Sequence, residues 1–178
     1  MDLNQIYKID DFLNDTEKDG LKHFTSHYIW TFDGYSHDGQ SRIFWKKDFW
    51  GDALGHCDPI ESTFRTKVEN LFNIKTQTTD LYMNGQAHGQ CGSFHTDVEP
   101  DMDGEFLTLV YFPQSFWSPE WGGFTVILDN NENPHIIYPK PNSAVIFNSK
   151  FAHVGLEPTV HCNGQRVSLA HKLKIIKE

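Results

Sequence analysis

A mainly β domain with flanking helices is the fold class this sequence predicts, and three observations predict it. Past residue 73 the chain reads as about eight short apolar runs separated by turn-forming residues, whereas helical spacing appears only before that point. Fourteen Phe, six Tyr and five Trp favour pleated surfaces and stacked, aromatic-lined clefts. A length of 178 residues suits one domain, 1–178, with a sizeable buried core. The expected arrangement is helices packed against a β-sandwich or open barrel, with helical support over about 1–75 and the β core over about 76–176.

Taken in order, Ile6 to Leu13 opens as a short strand with alternating apolar positions. Asp15 or Thr16 caps a helix running to about Tyr28, with Leu21 and Phe24 on its apolar stripe. Residues 28–45 read as one or two strands broken by the loop 33–39. Asp58-Pro59 starts a second helix, an N-cap followed by proline at the first helical position. Its buried stripe is Ile60, Phe64, Val68, Leu71 and Phe72, and it ends near Asn73. Ile74 to Met83 is a strand, after which Asn84-Gly85 opens a glycine-rich loop. Strands follow over 105–112, 122–128, 136–138, 143–147, 152–156 and 165–176, joined by a loop over 113–120 and a turn over 130–134.

Composition excludes several classes of function. A net charge of −9 with no basic stripe argues against a protein that grips phosphate backbones, so nucleic acid is disfavoured as a partner. Cys57, Cys91 and Cys162 are odd in number and far apart, which indicates neither a disulfide framework nor a zinc knuckle. The opening Met1-Asp2-Leu3-Asn4-Gln5 lacks the regions of a signal peptide. No apolar run approaches the roughly 18 residues of a membrane span. A cytoplasmic location is the expectation.

The chemistry concentrates in Ser93-Phe94-His95-Thr96-Asp97. On an extended chain His95 and Asp97 project to one side, because side chains alternate with period 2. Together they offer two adjacent ligands to a divalent metal, and one further histidine completes the 2-His-1-carboxylate face of non-haem Fe(II). His153 supplies it, just after the strand-like run Ser143 to Phe147; His56, His88 and His161 are its rivals. Beyond it comes Arg166-Val167-Ser168, a guanidinium and a hydroxyl on one face of the last strand, suited to a carboxylate. Each piece has a plainer reading. An isolated His-x-Asp is by default an exposed strand-end pair, and Arg166 alone would be a solvated strand arginine. Thr108, Tyr111 and Thr125 are lesser candidates for the same pocket, and Phe116, Trp117 and Trp121 for its rim. The alternating acids from Asp97 to Glu105 read as a solvated loop.

In order and spacing these pieces resemble the Fe(II)/2-oxoglutarate-dependent oxygenases, in their prolyl-4-hydroxylase-like branch. The likeness covers roughly residues 80–173. Tyr82-Met83-Asn84-Gly85-Gln86 leads through Gly89 and Gly92 to His95-Thr96-Asp97, and Thr108 to Phe112 precedes Trp121-Gly122-Gly123-Phe124-Thr125. Pro139 to Phe147 precedes His153, and Arg166-Val167-Ser168-Leu169-Ala170 follows. The resemblance implies a double-stranded β-helix, the cupin-like jelly roll, with iron at one mouth. It implies Fe(II), 2-oxoglutarate and O2 as cofactors, with ascorbate as an accessory candidate. Decarboxylation to succinate would drive hydroxylation of a peptidyl or small-molecule substrate. Arg166 falls where the family binds the distal carboxylate of 2-oxoglutarate, and Tyr82 resembles its strand tyrosine, so that Arg166, Ser168 and Tyr82 are the expected co-substrate-binding residues. Two departures bear on the substrate rather than the chemistry: Phe124 stands where the family has an acid after Gly-Gly, and the segment from Tyr82 to His95 is longer than in collagen-type enzymes.

Two rival readings come from other classes. One is an oxidative demethylase of nucleic acid bases, opposed by the acidic charge. The other is a non-catalytic β-sandwich binding module that keeps the shell without turnover.

Overall fold

A computed structural model describes residues 1–37, 43–49, 58–99 and 101–177. Its elements in chain order are β1 (Tyr7–Ile9), α1 (Asp15–Ser26), β2 (Thr31–Gly34), β3 (Phe44–Asp48), α2 (Asp58–Phe72), β4 (Lys75–Gln86) and β5 (Phe106–Phe112). They continue with β6 (Thr125–Leu128), β7 (Pro134–Ile137), β8 (Ser143–Asn148), β9 (His153–Gly155) and β10 (Arg166–Ile176). A large antiparallel sheet orders its strands β1-β8-β5-β10-β4-β3-β2, and a small one β7-β6-β9. The two sheets form a double-stranded β-helix, with α1 and α2 on the outer face of the large sheet. Among the described residues no helix is long and apolar enough to cross a membrane.

Period 2 sorts the central strands into two cores. Leu81, Met83, Leu107, Leu109, Tyr111, Ala144, Ile146, Leu169 and Leu173 face the helices and meet Leu21, Ile60, Phe64 and Val68. Val110, Phe112, Val145 and Phe147 face the small sheet and meet Ile127, Ile137 and Phe151. Covered on both sides, β5 is buried along its whole length, which is why it reads as a continuous apolar run.

Several boundaries differ from the sequence expectation. Asn14, not Asp15 or Thr16, caps α1: its side chain accepts from Glu17 N–H at 2.9 Å while Glu17 Oε2 accepts from Asn14 N–H at 2.8 Å. This reciprocal box fixes the start one residue earlier. Leu71 is 52% exposed and lies off the buried stripe of α2. Asn84-Gly85 opens no loop. It continues β4, because Gly85 pairs with Val167 on one side and Trp45 on the other, and ladders on both edges outweigh turn propensity. Glycine is needed there for a different reason: a Cβ would stand 3.1 Å from the Trp30 ring. Gly122 and Gly123 precede β6 with left-handed φ of 60° and 67°. Residues 38 and 39 of the expected loop, with His56 and Cys57, lie outside the described residues.

On the helix side of β10, His171 is fully buried. Its Nε2 donates to Thr78 Oγ1 at 2.8 Å, Thr78 donates onward to Glu61, and Glu61 Oε1 also accepts from Arg65 Nε at 2.8 Å. Burial, aided by the charge of Arg65, pushes the imidazole down to about 3. The native state therefore keeps His171 neutral where an unfolded chain protonates it. Between about pH 6.5 and 3 the unfolded state binds the extra proton, so this contribution is complete above pH 6.5 and is lost as pH falls. In urea titrations the parent is expected to lose about 1 kcal/mol more per pH unit, from pH 6.5 to 4.5, than His171→Gln. Parallel pH profiles for the two proteins would contradict this.

Candidate active site

The inner face of the large sheet is a ladder of paired rows. Arg166 sits opposite Gln86, Ser168 opposite Asn84, Ala170 opposite Tyr82 and Lys172 opposite Asp80. The next strand adds Phe44, Lys46 and Asp48 alongside Gln86, Asn84 and Tyr82. This wall faces a segment from Gly92 to Asp97 that is tied down by main-chain bonds. His95 and His153 exchange N–H···O bonds at 3.1 and 2.9 Å, Gly92 N–H donates to Gly155 O at 3.1 Å, and Asp97 N–H to Ser149 O at 3.0 Å.

The bridge brings the imidazoles of His95 and His153 together, tilted at 49° with ring centres 4.4 Å apart. Asp97 completes the group: its oxygens lie 3.7 Å from His95 Nε2 and 3.4 Å from His153 Nε2, and the three candidate ligand atoms fall within 4.8 Å of one another. His95 Nδ1 lies 2.9 Å from Ser93 O, and His153 Nδ1 3.0 Å from Phe151 O. A carbonyl only accepts, so each Nδ1 carries the proton and each Nε2 keeps its lone pair for a metal. Burial, then the neighbouring His153, holds His95 below the usual histidine range. For Asp97 burial acts upward, yet His153, Lys172 and the Thr108 hydroxyl together hold the carboxyl below its usual range. At neutral pH the donors thus include a neutral imidazole at His95 and a carboxylate at Asp97, as a divalent first-row metal requires. Thr108 Oγ1 donates to Asp97 Oδ2 at 2.5 Å and shares a hydrogen bond with Ser149 Oγ at 2.9 Å. Asp97 Oδ1 is buried with no well-directed hydrogen bond, although Lys172 Nζ lies 3.0 Å away. A buried carboxylate set between two imidazoles, each with its Nδ1 bound to a carbonyl, fits the donor set of a divalent cation.

Arg166, 2% exposed, closes the other end of the same pocket. Its Nε donates to Gly123 O at 2.6 Å, Nη1 to Gln86 Oε1 at 2.9 Å and Ser168 Oγ at 3.2 Å, and Nη2 to Thr125 Oγ1 at 2.6 Å. The Phe112 ring lies 5.5 Å from Cζ. Every acceptor is neutral, and among the described residues no carboxylate pairs with this cation. Burial pulls the guanidinium down to about 10, still charged at neutral pH.

The structure thus brings together His95, Asp97, His153, Arg166, Ser168 and Tyr82, all of which line one cavity. Tyr82 stands two rows from Arg166; burial and the nearby Asp97 raise its phenol well above the usual range. Thr108 and Thr125 join the pocket. Tyr111 does not: it points into the helix-side core, donates to Asn142 Oδ1 at 3.0 Å and is pushed up to about 12 by burial. Trp117 is buried and spends its Nε1–H on Gly122 O, so it packs rather than rims the pocket. Of the rival histidines, His88 and His161 lie outside the metal group. Sequence reading missed Lys172, Gln86 and Lys46. Counting by twos from Arg166 and from Tyr82 would have found the first two.

A family model described as the 2OG-Fe(II) oxygenase superfamily matches residues 76–171. No curated protein sequence matches the chain. Among solved structures, a prolyl-4-hydroxylase of Pseudomonas putida is similar at 16% identity and TM-score 0.67, covering 95% of this chain and 91% of the other. A Trichoplax adhaerens prolyl hydroxylase in complex with a hypoxia inducible factor peptide aligns at 18% identity and TM-score 0.68, over 97% and 84%. The viral collagen prolyl hydroxylase of Paramecium Bursaria Chlorella virus-1 aligns at 17% identity and TM-score 0.67, over 96% of each chain.

The backbone of Gly123 lets Arg166 lie flat in its place. With φ at 67°, a Cβ there would stand 3.1 Å from Arg166 Cδ and 3.1 Å from Trp117 Cζ2. Gly123→Ala should cost about 2–4 kcal/mol, combining left-handed strain with overpacking. Gly20→Ala meets nothing within 4 Å on helix α1 and should instead stabilise by up to about 1 kcal/mol. Urea midpoints check both signs.

Proposed function

Since this chain belongs to the 2OG-Fe(II) oxygenase superfamily, we propose that it is an Fe(II)- and 2-oxoglutarate-dependent dioxygenase, hydroxylating a peptidyl or small-molecule substrate in the manner of the prolyl hydroxylases. In this reading His95, Asp97 and His153 hold the metal, Arg166 with Ser168 receives the distal carboxylate of 2-oxoglutarate, and Tyr82 forms the wall between them. Bound iron, with O2 and 2-oxoglutarate, supplies an oxidative decarboxylation to succinate and CO2 coupled to oxidation of a substrate C–H bond, ascorbate serving as accessory reductant. The chain's own residues position and insulate. The carbonyls of Ser93 and Phe151 fix both imidazoles, Thr108 holds one oxygen of Asp97, and Phe112 and Val110 keep the floor dry. No side chain needs to act as a general base.

The observation that carries this reading is the buried cation of Arg166, held only by neutral acceptors and sharing a cavity with the ligand triad. Burying an unpaired charge costs several kcal/mol, and the pocket recovers that cost when an anion enters. A peptide-bound prolyl hydroxylase among the structural relatives supports a peptidyl substrate. Phe124 and the longer approach to His95 support a departure from collagen-like sequences. Iron-dependent succinate release separates this reading from a binding module without turnover.

Two measurements test the assignment. Anaerobic calorimetry should show Fe(II) binding lost in His95→Ala and in Asp97→Ala with circular dichroism unchanged; unchanged iron affinity in both would remove the triad. At saturating Fe(II), Arg166→Ala should weaken 2-oxoglutarate binding by about 30-fold to several thousand-fold, the equivalent of roughly 2–5 kcal/mol for stranding a charge. Arg166→Lys should recover part of the loss, because an ammonium lacks the planar fork. Parent-like affinity in Arg166→Ala would move the co-substrate elsewhere.

A further inference from the structure

The inner wall continues past the triad, away from Arg166, into a second cleft lined by Lys46, Lys172, Asp80, Tyr82 and Asn84. His95 and Asp97 border both clefts, so the two meet at the candidate metal ligands. Resting on the oxygenase reading above, we propose that this second cleft receives the primary substrate and that Lys46 and Lys172 bind a carboxylate of it.

Register sets the two ammoniums on one face. Lys46 lies beside Asn84 and Lys172 beside Asp80, with Tyr82 between them. Both ammoniums approach the Tyr82 ring, at 4.9 and 5.2 Å from its centre. Arg166 is six residues from Lys172 along β10, roughly 20 Å at strand rise, so a second anion at the lysines does not compete with one at Arg166. The countercharges facing the lysines are Asp48, Asp80 and Asp97. Asp48, 2.8 Å from Lys46, sits on the open rim, where such pairs contribute little. Asp97, 3.0 Å from Lys172, shares its charge with the metal once one binds, and among the described residues Asp80 at 3.7 Å is then the acid left facing Lys172. Metal loading therefore tips the cleft positive and makes Lys172 available. Asn84 Oδ1 is buried and accepts no hydrogen bond among the described residues. It sits beside both clefts and calls for an N–H or O–H donor on the ligand. The class that fits is a carboxylate flanked by an amide or hydroxyl, as in an N-acylated amino acid or a glutamyl side chain.

The test loads the full chain with Mn(II) and 2-oxoglutarate and reads paramagnetic broadening of probe proton signals. The probes are N-acetyl amino acids, their carboxamides, and the capped peptide acetyl-Gly-Glu-Gly-amide. Broadening of 2-oxoglutarate in the same sample reports that triad and Arg166 pocket are filled. We expect acids to bind at least tenfold more tightly than carboxamides, and Lys46→Met to remove that preference without touching the triad; Lys172→Met should also remove it, although its ammonium contacts Asp97 as well. Broadening of the free acids alone places the carboxylate on a small molecule, and broadening of the peptide alone places it on a peptide side chain; both support the proposal. Equal binding of acids and carboxamides, an unchanged preference in Lys46→Met, or no broadening of any probe while 2-oxoglutarate is broadened would overturn it. If 2-oxoglutarate itself is not broadened, the oxygenase reading falls, and this proposal with it.

Discussion

The site depends first on the register of β10. This strand is hydrogen-bonded to β4 along its length and to β5 from Leu169 to Lys174. Its odd positions enter the helix-side core and its even positions, Arg166, Ser168, Ala170 and Lys172, form the floor of the pocket. A slip of one residue would put Leu169 in the pocket and turn Arg166 toward the helix side, away from it. Such a slip forfeits the apolar burial of Leu169 and Leu173 and removes the cation from the pocket. The packing of one face thereby fixes the chemistry of the other.

Charge is rationed along that floor. Among the described residues the groups between Arg166 and the ligand triad are neutral, Ser168, Asn84, Gln86, Ala170 and Val110 among them. Had an acid stood among them, it would have paired with Arg166 and emptied the pocket of its attraction for an anion. Among the described residues, acids join this wall past the triad, at Asp80 and Asp48, where lysines answer them. The two ends of one cavity thus differ in kind. One holds a cation with no acid near it, and the other holds cations whose partners are a rim acid and a metal ligand.

Much of this was legible in the chain. Period 2 put His95 and Asp97 on one side and Arg166 with Ser168 on another, and the strand run before His153 distinguished it from nine other histidines. Where structure and expectation part, the cause is shared: a neighbouring element overrides a local signal. Asn84-Gly85 has the composition of a turn but sits between two strands. Tyr111 and Thr108 belong to one strand, and only the placement of the helices shows which face is inward. Asn14 beat Asp15 as cap because Glu17 reaches back to it. Lys172 is hidden from a local reading because a lysine on a strand is usually solvated, and nothing near it in the chain announces that Asp97 folds onto it.

The paired main-chain bonds at His95 have one more consequence, which concerns the edge of the small sheet. β9 is the last strand of that sheet, and left bare it would present a row of unpaired peptide groups to any passing chain. Gly92 and His95 occupy that row instead, at Gly155 and His153. The segment that delivers two of the three candidate ligands is also the cover that keeps the sheet from recruiting a stranger. Because those bonds run through the backbone, the ligand side chains can change without uncovering the edge.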